Sequence, residues 1–266
     1  MILNLKSKIL QTEMKKVQFF ILAIILTTAV ADEAWDIDWS QVRPRTEAPG
    51  FWDNRFFQPK MMPRLSFEVK SDVAGRIVGG WEVEPNAHPY QAGLLLRMGS
   101  SVFLCGGSVI GPHYILTAAH CPENTESTQV ILGAHQINEI EETQQRRDVN
   151  SSNYRCHPLY NSWTLQNDIC VLLLSSRIEY NKFVLPIPLP REFKDRNFVG
   201  YNATVSGWGR TTDSSWETSP VLRAVTNVVI TNDECAAVYG NRTVIESTIC
   251  MRNFGNATCH GDSGLN

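Results

Sequence analysis

The stretch of sequence that decides the fold is residues 91–117, QAGLLLRMGSSVFLCGGSVIGPHYILT. Glycine, serine and proline divide it into short runs of apolar or alternating character, at residues 91–97, 102–105, 108–110 and 114–117. Short runs bounded by turn residues are typical of β-strands, whereas an amphipathic helix repeats its apolar residues about every 3.6 positions over a longer span. This stretch therefore predicts successive β-strands joined by turns.

Similar short runs continue toward the C-terminus, at residues 129–132, 169–174, 203–207 and 222–230. A short helix is predicted at residues 233–239, with Thr231 or Asn232 as its N-cap. Many short strands with frequent turns indicate an all-β sandwich or barrel. We therefore expect an all-β domain with one short helix.

Composition and charge narrow the classes of function. The chain has 266 residues, of which 43% are hydrophobic, so a packed core is expected. From residue 77 onward it contains 13 Lys and Arg against 18 Asp and Glu, a net charge of −5 (13 − 18). Proteins that bind nucleic acids neutralise phosphates with an excess of basic residues. We therefore expect no nucleic acid among the partners.

The first 31 residues have the layout of a secretory signal peptide. Four lysines between Lys6 and Lys16 precede an apolar run at residues 19–26, and the small-residue pattern Ala29-Val30-Ala31 follows. The alternative is a membrane anchor, but crossing a bilayer needs about 20 apolar residues. We therefore expect residues 1–31 to be a signal peptide and the protein to be secreted, extracellular and not bound to a membrane.

Residues 32–76 differ in composition from the rest of the chain. They carry mixed charge, several prolines and no cysteine, and aromatic residues such as Trp39 and Phe51 interrupt the polar background. We expect a propeptide with little regular structure. Its aromatic side chains either pack on the following domain or belong to a weakly ordered tail, and the sequence leaves both alternatives open.

Seven cysteines follow residue 76, and in a secreted protein they should pair as disulfides. An odd number leaves at least one without a partner in this chain. None lies in the Cys-x-x-Cys spacing of a zinc site, so no metal is expected. Four glycosylation sequons suit a secreted glycoprotein, at Asn150, Asn202, Asn241 and Asn256.

Three motifs contain residues with catalytic chemistry: Thr117-Ala118-Ala119-His120-Cys121, Asn167-Asp168-Ile169 and Gly261-Asp262-Ser263-Gly264. A histidine is the natural general base near neutral pH, because its unperturbed pKa is about 6.5. A carboxylate at the mouth of an apolar strand needs a donor, and an imidazole N–H is one. Glycines that flank a serine permit a tight bend, in which backbone N–H groups point toward an oxyanion.

Each motif alone has an ordinary structural explanation: a packed or exposed histidine, a turn residue that caps a strand, and a glycine-rich turn. Their order along the chain, His120, Asp168 and Ser263, is more specific. It is the order of the chymotrypsin arrangement and differs from the orders in subtilisin and in α/β-hydrolases. In a secreted all-β chain, this order predicts nucleophilic catalysis by a serine.

From residue 77 to its end, the chain resembles the chymotrypsin-like (trypsin-superfamily) serine endopeptidases. The resemblance rests on Ile77-Val78-Gly79-Gly80, Cys105-Gly106-Gly107-Ser108, Ser206-Gly207-Trp208-Gly209 and the three motifs above. Leu132-Gly133-Ala134-His135 and Ala237-Val238-Tyr239-Gly240 look most like arthropod digestive chymotrypsins and collagenolytic proteases. The resemblance implies two antiparallel six-stranded β-barrels, with the active site in the cleft between them.

The resemblance also implies a role for each matching residue. Ser263 would be the nucleophile, His120 the general base, and Asp168 the residue that orients the imidazole. Backbone N–H groups of Gly261 and Ser263 would form the oxyanion hole. Protein and peptide substrates are expected, protein inhibitors of proteases are expected partners, and no metal or organic cofactor is implied.

Two disulfides, Cys105–Cys121 and Cys235–Cys250, follow from the resemblance. Cys156 and Cys170 are not standard positions of the family. They lie on segments that run antiparallel in this fold, so we predict a third disulfide between them, which requires Cα atoms within about 7 Å.

Activation and specificity are implied in the same way. An activating protease would cleave Arg76–Ile77, and the new ammonium of Ile77 would pair with Asp262 beside the nucleophile. The floor of the primary pocket lies six residues before the nucleophile and is Ala257 here. Trypsin-like enzymes carry Asp at that position, so the uncharged floor favours large apolar or aromatic substrate side chains.

The chain departs from the family pattern after Gly264. In the family, the domain continues with the last strands of the second barrel, a wall of the pocket and the partner of Cys259. We therefore expect the protease domain, residues 77–266, to lack its C-terminal part, with an incomplete second barrel and no activity. The alternative is an inactive protease homologue acting as a binding or regulatory module, but all three triad residues are present.

Overall fold

The structure is a computed structural model that describes residues 35–49, 51, 80–190, 196–211 and 217–252. The predicted signal peptide, the activation site Arg76–Ile77, Ala257 and the segment with Gly261, Asp262 and Ser263 lie outside the described residues. The strands are β1 (Arg43–Pro44), β2 (Trp81–Glu82), β3 (Gln91–Met98), β4 (Ser101–Gly111), β5 (Tyr114–Thr117), β6 (Ser127–Leu132), β7 (Gln145–Asn150), β8 (Tyr154–Cys156), β9 (Cys170–Leu173), β10 (Asn202–Gly207), β11 (Arg223–Ile230) and β12 (Cys250–Met251). A helix, α1, spans Asn232–Tyr239, and single 3-10 turns span Trp39–Gln41, Arg45–Glu47 and Ser151–Asn153.

The larger sheet carries the core of the protein. Its strand order is β7-β6-β3-β4-β5-β9-β8, and neighbouring strands are antiparallel. Consecutive residues Leu94 and Leu95 of β3 are both fully buried, so this strand is covered on both faces. Ile115 of β5 and Leu172 of β9 pack into the same core as Leu94.

The smaller sheet has the order β10-β11-β12, and β2 pairs with β11. The two sheets meet where β3 has a glycine: a Cβ at Gly93 would lie 2.5 Å from Ile137 Cδ1 and 3.6 Å from the ring of Trp208. A larger residue at position 93 would push these two side chains away. Trp208 itself is buried, and its indole N–H donates to the carbonyl of His135 at 2.9 Å.

The all-β prediction is confirmed, and two strand predictions need correction. The runs at 102–105 and 108–110 form one strand, β4, although the glycines between them suggested a turn. A glycine is needed there because β5 approaches closely: a Cβ at Gly107 would lie 2.9 Å from Ile115 Cγ2. Strand β7 was not predicted, since its sequence QRRDVN lacks alternating apolar residues.

The helix α1 begins at a capping box. Thr231 is the N-cap: its Oγ1 accepts the backbone N–H of Glu234 at 3.1 Å, and the Glu234 carboxylate accepts the backbone N–H of Thr231 at 3.1 Å. Of the two predicted caps, Thr231 is therefore correct. No helix among the described residues is long and apolar enough to span a membrane.

The described part of the predicted propeptide packs on the larger sheet. Strand β1 runs parallel to Phe103 and Leu104 of β4, and the side chains of Val42 and Ala48 are buried. Of the two alternatives that the sequence left open for this segment, packing on the domain therefore holds for the residues described.

Candidate active site

His120 lies in a turn directly after β5. The strand ends at Thr117, whose hydroxyl donates to the carbonyl of Gly106 on β4 at 2.7 Å. The chain then turns, and the N–H of Cys121 bonds to the carbonyl of Ala118 at 3.3 Å. Only 9% of the His120 side chain is exposed. Neighbouring strands thus hold the turn, and the imidazole has a defined place.

Asp168 lies two residues before β9, at the same end of the sheet as His120. Strands β5 and β9 are antiparallel, with Thr117 opposite Cys170. Residues that follow Thr117 and residues that precede Cys170 therefore leave the ladder at the same end. This topology brings His120 and Asp168 together, although 48 positions separate them in the sequence.

Asn167 shapes the backbone that presents the carboxylate of Asp168. Its φ is 54°, in the left-handed region that Asn tolerates better than most residues. Its side-chain amide donates to the carbonyl of Leu159 at 2.9 Å, and its own carbonyl accepts the N–H of Ile169 at 2.8 Å. Asn167 was predicted only as part of a motif, and its contribution to the position of Asp168 was not predicted.

The side chains of His120 and Asp168 are hydrogen-bonded to each other. Nδ1 of His120 lies 2.7 Å from Oδ2 of Asp168, and the backbone N–H of His120 donates to Oδ1 at 2.8 Å. Nδ1 carries the hydrogen in a neutral ring bonded this way, which leaves the lone pair on Nε2. This is the tautomer that a general base acting through Nε2 requires.

The surroundings of Asp168 keep its carboxylate ionised. Burial raises the pKa of Asp168, because a charged group is poorly solvated inside a protein. The charge of His120 and hydrogen bonds from its ring, its backbone N–H and the backbone of Ala119 lower the pKa by more. The pKa of Asp168 therefore lies below its ordinary value, and the carboxylate is negative at neutral pH.

Disulfides fix both members of this pair. Cys105 on β4 is bonded to Cys121, the residue after His120, with Cα atoms 6.2 Å apart. Cys156 on β8 is bonded to Cys170, two residues after Asp168, with Cα atoms 3.9 Å apart. A third disulfide joins Cys235 in α1 to Cys250 in β12. These are the same three pairs that the sequence analysis expects.

Three potential metal ligands near the site lie close to one another. Within the part of the chain that the structure describes, Cys105, His120 and Cys121 are the group of three potential ligands that lie close together. The two sulfurs are joined in a disulfide, whereas a metal site needs thiolates. This cluster is therefore a histidine packed beside a disulfide.

The structure brings together two of the three predicted catalytic residues, His120 and Asp168. The third, Ser263, lies outside the described residues together with Gly261, Asp262 and Ala257, and the roles of all four stay predictions. One contact of His120 was not predicted: the ring of Phe51 meets it edge-on, with ring centroids 5.6 Å apart and an interplanar angle of 77°. The only signal for it was the aromatic content of the propeptide.

An imidazole bonded to a partly buried carboxylate, at the end of a curled antiparallel sheet in an all-β chain, indicates a class of protein: the serine hydrolases with a chymotrypsin-like two-barrel fold. Comparison with known proteins gives the family. The sequence model of the Trypsin family matches residues 77–264. The chain therefore belongs to the trypsin family of serine endopeptidases.

The chain is similar to proteases from several arthropods. It is 40% identical to brachyurin of Leptuca pugilator, over 71% of this chain and 79% of that relative. It is 37% identical to chymotrypsin of Phaedon cochleariae, over 79% of this chain and 73% of the relative. Among solved structures, HL collagenase matches with a TM-score of 0.63 and 35% identity, over 71% of this chain and 79% of that one. The fold, the enzyme class and the resemblance to arthropod proteases are thereby confirmed.

Proposed function

We propose that this chain is the secreted zymogen of an endopeptidase that hydrolyses peptide bonds through an acyl-enzyme on Ser263. Residues 1–31 would be removed as a signal peptide, residues 32–76 would form the propeptide, and the protease domain would begin at Ile77. The observation that carries the proposal is the pair of contacts between Asp168 and His120, at 2.7 and 2.8 Å. They supply a base whose tautomer and orientation suit a serine nucleophile.

In the proposed reaction, Nε2 of His120 accepts and releases a proton twice, once in each half of the reaction. The hydroxyl oxygen of Ser263 attacks the carbonyl carbon of the substrate, and its proton passes to Nε2 of His120. The N–H groups of Gly261 and Ser263 stabilise the oxyanion of the tetrahedral intermediate. The peptide C–N bond then breaks as the amine takes the proton from Nε2. Water then attacks the carbon of the ester and passes a proton to Nε2 of His120. The bond between this carbon and the oxygen of Ser263 breaks as Ser263 takes that proton, and the acid product leaves.

The proposed activation requires that the new N-terminus reach Asp262. Residues just after the cleavage site are anchored on the smaller sheet: Trp81 pairs with Ala224, and the guanidinium of Arg223 donates to the carbonyl of Gly80 at 3.1 Å. Three residues, 77–79, precede this anchor and span about 10 Å when extended. Pairing of the Ile77 ammonium with Asp262 therefore requires that the carboxylate lie within about that distance of Gly80.

Substrate preference and modification follow from individual positions. An uncharged residue at the pocket floor, Ala257, supports a preference for large apolar or aromatic side chains, as in chymotrypsin. The sequon residues Asn150, Asn202 and Asn241 are exposed, as glycosylation of a secreted protein requires. An activating protease with a preference for arginine and protein inhibitors of the active site are the partners that this proposal implies.

A fluorophosphonate probe tests the proposal directly, because it reacts only with an activated serine. The protein should be expressed in insect cells from its own transcript, so that any residues encoded after Asn266 are included. After cleavage with trypsin, we expect one equivalent of label on Ser263 and none in Ser263→Ala. Absence of label after complete cleavage would favour the inactive homologue.

The activation step has a separate test. The variant Arg76→Gln should stay uncut by trypsin at this bond and should label slowly, if at all. N-terminal sequencing of the cleaved wild type should begin at Ile77. Efficient labelling of uncut Arg76→Gln would contradict activation by a new N-terminus.

A further inference from the structure

The segment consisting of residues 36–49 and Phe51, here named the docking segment, occupies a sheet edge beside the catalytic histidine. Residues Phe103 and Leu104 of β4 pair with β3 on one side and with β1 of the docking segment on the other. Strand β5 pairs with β4 only at 108–111, so it leaves this part of β4 to the docking segment. Addition of a strand at an open sheet edge is a recurrent mode of peptide recognition.

Arg45 anchors the docking segment to the loop that carries His120. Its side chain is buried, and the guanidinium donates to the carbonyls of Cys121 at 3.3 Å and Glu123 at 2.8 Å. The same guanidinium lies over the rings of Phe51 and Phe103, at 5.2 and 6.0 Å from their centroids. A lysine could not reproduce this planar, multiply donating arrangement.

Phe51 covers the imidazole itself. Its ring packs edge-on against His120 and is only 4% exposed. Phe51 and Ala48 belong to the same hydrophobic cluster as Cys105 and Cys121, so the docking segment is part of the core around the site. The contact therefore places an apolar side chain of the protein's own propeptide directly against the imidazole.

A further contact holds the docking segment to a different part of the domain. Glu47 pairs with Arg210 at 2.9 Å, and the side chains are 18% and 6% exposed. Neither this ion pair nor the contacts of Arg45 involves the bond Arg76–Ile77. No cysteine precedes Cys105, so after cleavage only non-covalent contacts would hold the docking segment.

We propose that the docking segment is an inhibitor built into the propeptide, which stays bound at the His120 face after cleavage at Arg76–Ile77. This inference rests on the proposed function, because inhibition requires that His120 is the catalytic base. Cleavage then yields a complex with low activity, and full activity appears when the docking segment dissociates. The surface that it leaves binds peptides that carry an arginine and, six positions later, an aromatic residue, as Arg45 and Phe51 do.

The first test measures retention of the cut propeptide without any substrate. The zymogen, expressed from its own transcript with Ser263→Ala to prevent autolysis, is cleaved by trypsin and passed over a sizing column. We expect the fragment that contains the docking segment to co-elute with the protease domain. In the Phe51→Ala and Arg45→Ala variants this fragment should be retained at least tenfold less. Gln41→Ala, an exposed residue of the same segment, is the matched control and should behave as wild type.

The second test measures inhibition in the active enzyme. Immediately after cleavage, wild type should hydrolyse a small anilide substrate at least tenfold more slowly than Phe51→Ala, and dilution should release activity with a lag. A synthetic peptide of residues 36–51 should restore the inhibition of Phe51→Ala, whereas the same peptide with Phe51→Ala should not. Adding the same two peptides to wild type whose own fragment has been stripped repeats the comparison without any substitution in the protein.

The outcomes separate this inference from the proposed function. Elution of the fragment apart from the enzyme, or equal initial turnover of wild type and Phe51→Ala, would overturn the inference. Absence of turnover even after the fragment has been stripped would instead count against the proposed function. Co-elution is measured without substrate, so it tests retention of the fragment independently of catalysis.

Discussion

Asp168 holds His120 at two points: Oδ2 of the carboxylate lies 2.7 Å from Nδ1 of the ring, and Oδ1 accepts the backbone N–H at 2.8 Å. One contact orients the imidazole, and the other fixes the loop from which the imidazole projects. A carboxylate has two acceptor oxygens and no donor, so it can do both at once. Residues of similar size with an amide or a hydroxyl cannot.

Replacement of Asp168 by Asn should remove the tautomer control without removing the bulk of the side chain. An amide can present its NH₂ group to Nδ1, which then accepts, so the hydrogen moves to Nε2 and the base is blocked. In the Ser-His-Asp arrangement this change lowers kcat about 10⁴-fold. We expect a loss of that order for Asp168→Asn, with KM changed little, measured on a Phe-containing peptide anilide.

Asp148→Asn is the matched control for this prediction. Asp148 accepts a hydrogen bond from the side chain of Gln129 on a strand away from the site, so its replacement should leave kcat unchanged. If Asp168→Asn lowers kcat by less than tenfold, the carboxylate does not set the tautomer of His120.

The lowered pKa of Asp168 predicts how acid affects stability. Its folded-state pKa lies below the unfolded value, which is about 3.9 for Asp, so the native state binds fewer protons than the unfolded state at low pH. The stability from the ionised carboxylate is therefore fully present above about pH 4 and is lost as pH falls through the folded-state pKa. Urea unfolding of Ser263→Ala, with and without Asp168→Asn, measures this contribution.

We expect the difference in unfolding free energy between these two proteins to shrink as the pH falls below about 4. The reason is that protonated Asp168 no longer attracts His120. A difference that grows as the pH falls below about 4 would contradict the direction of the pKa shift.

Asn167 should matter for catalysis through its backbone. A β-branched residue is strongly disfavoured at its φ of 54°, and left-handed backbone costs even ordinary residues about 1–2 kcal/mol. Asn167→Val should therefore move Asp168 and lower kcat about tenfold, the change that corresponds to about 1.4 kcal/mol. Asn167→Gly tolerates the same φ and loses only the bond to Leu159, so it should retain most of the activity. Equal kcat values for the two variants would argue against a positioning role.

Short patterns in the sequence locate the strands and two of the three predicted catalytic residues, His120 and Asp168. The His120 and Asp168 motifs flank β5 and β9, two apolar strands that the alternation and turn residues already indicate. The resemblance implied antiparallel barrels, and the structure pairs these two strands, which puts both residues at one end of the sheet. Local sequence gives the strands and the motifs at their ends, whereas the pairing that brings His120 and Asp168 together is a property of the fold.

The docking of Phe51 on His120 could not be predicted in the same way. It depends on side chains that meet across 69 positions (120 − 51) and on a guanidinium bonded to backbone carbonyls. Every residue has a backbone carbonyl, so no sequence pattern marks this contact. Strand β7 escaped prediction for a related reason: pairing with β6 selects it, while its own residues are mainly polar.

Specificity can be tested at the predicted pocket floor. If Ala257 lies at the end of the pocket, Ala257→Asp places a buried carboxylate there, which disfavours an apolar substrate side chain and favours a guanidinium. The ratio of kcat/KM for an Arg anilide to that for a Phe anilide should rise at least tenfold, a change of about 1.4 kcal/mol or more in relative transition-state stabilisation. Ala257→Ser, which adds a polar group without charge, is the control and should leave the preference for Phe in place. An unchanged ratio in Ala257→Asp, in enzyme that still labels with fluorophosphonate, would place the floor of the pocket at another residue.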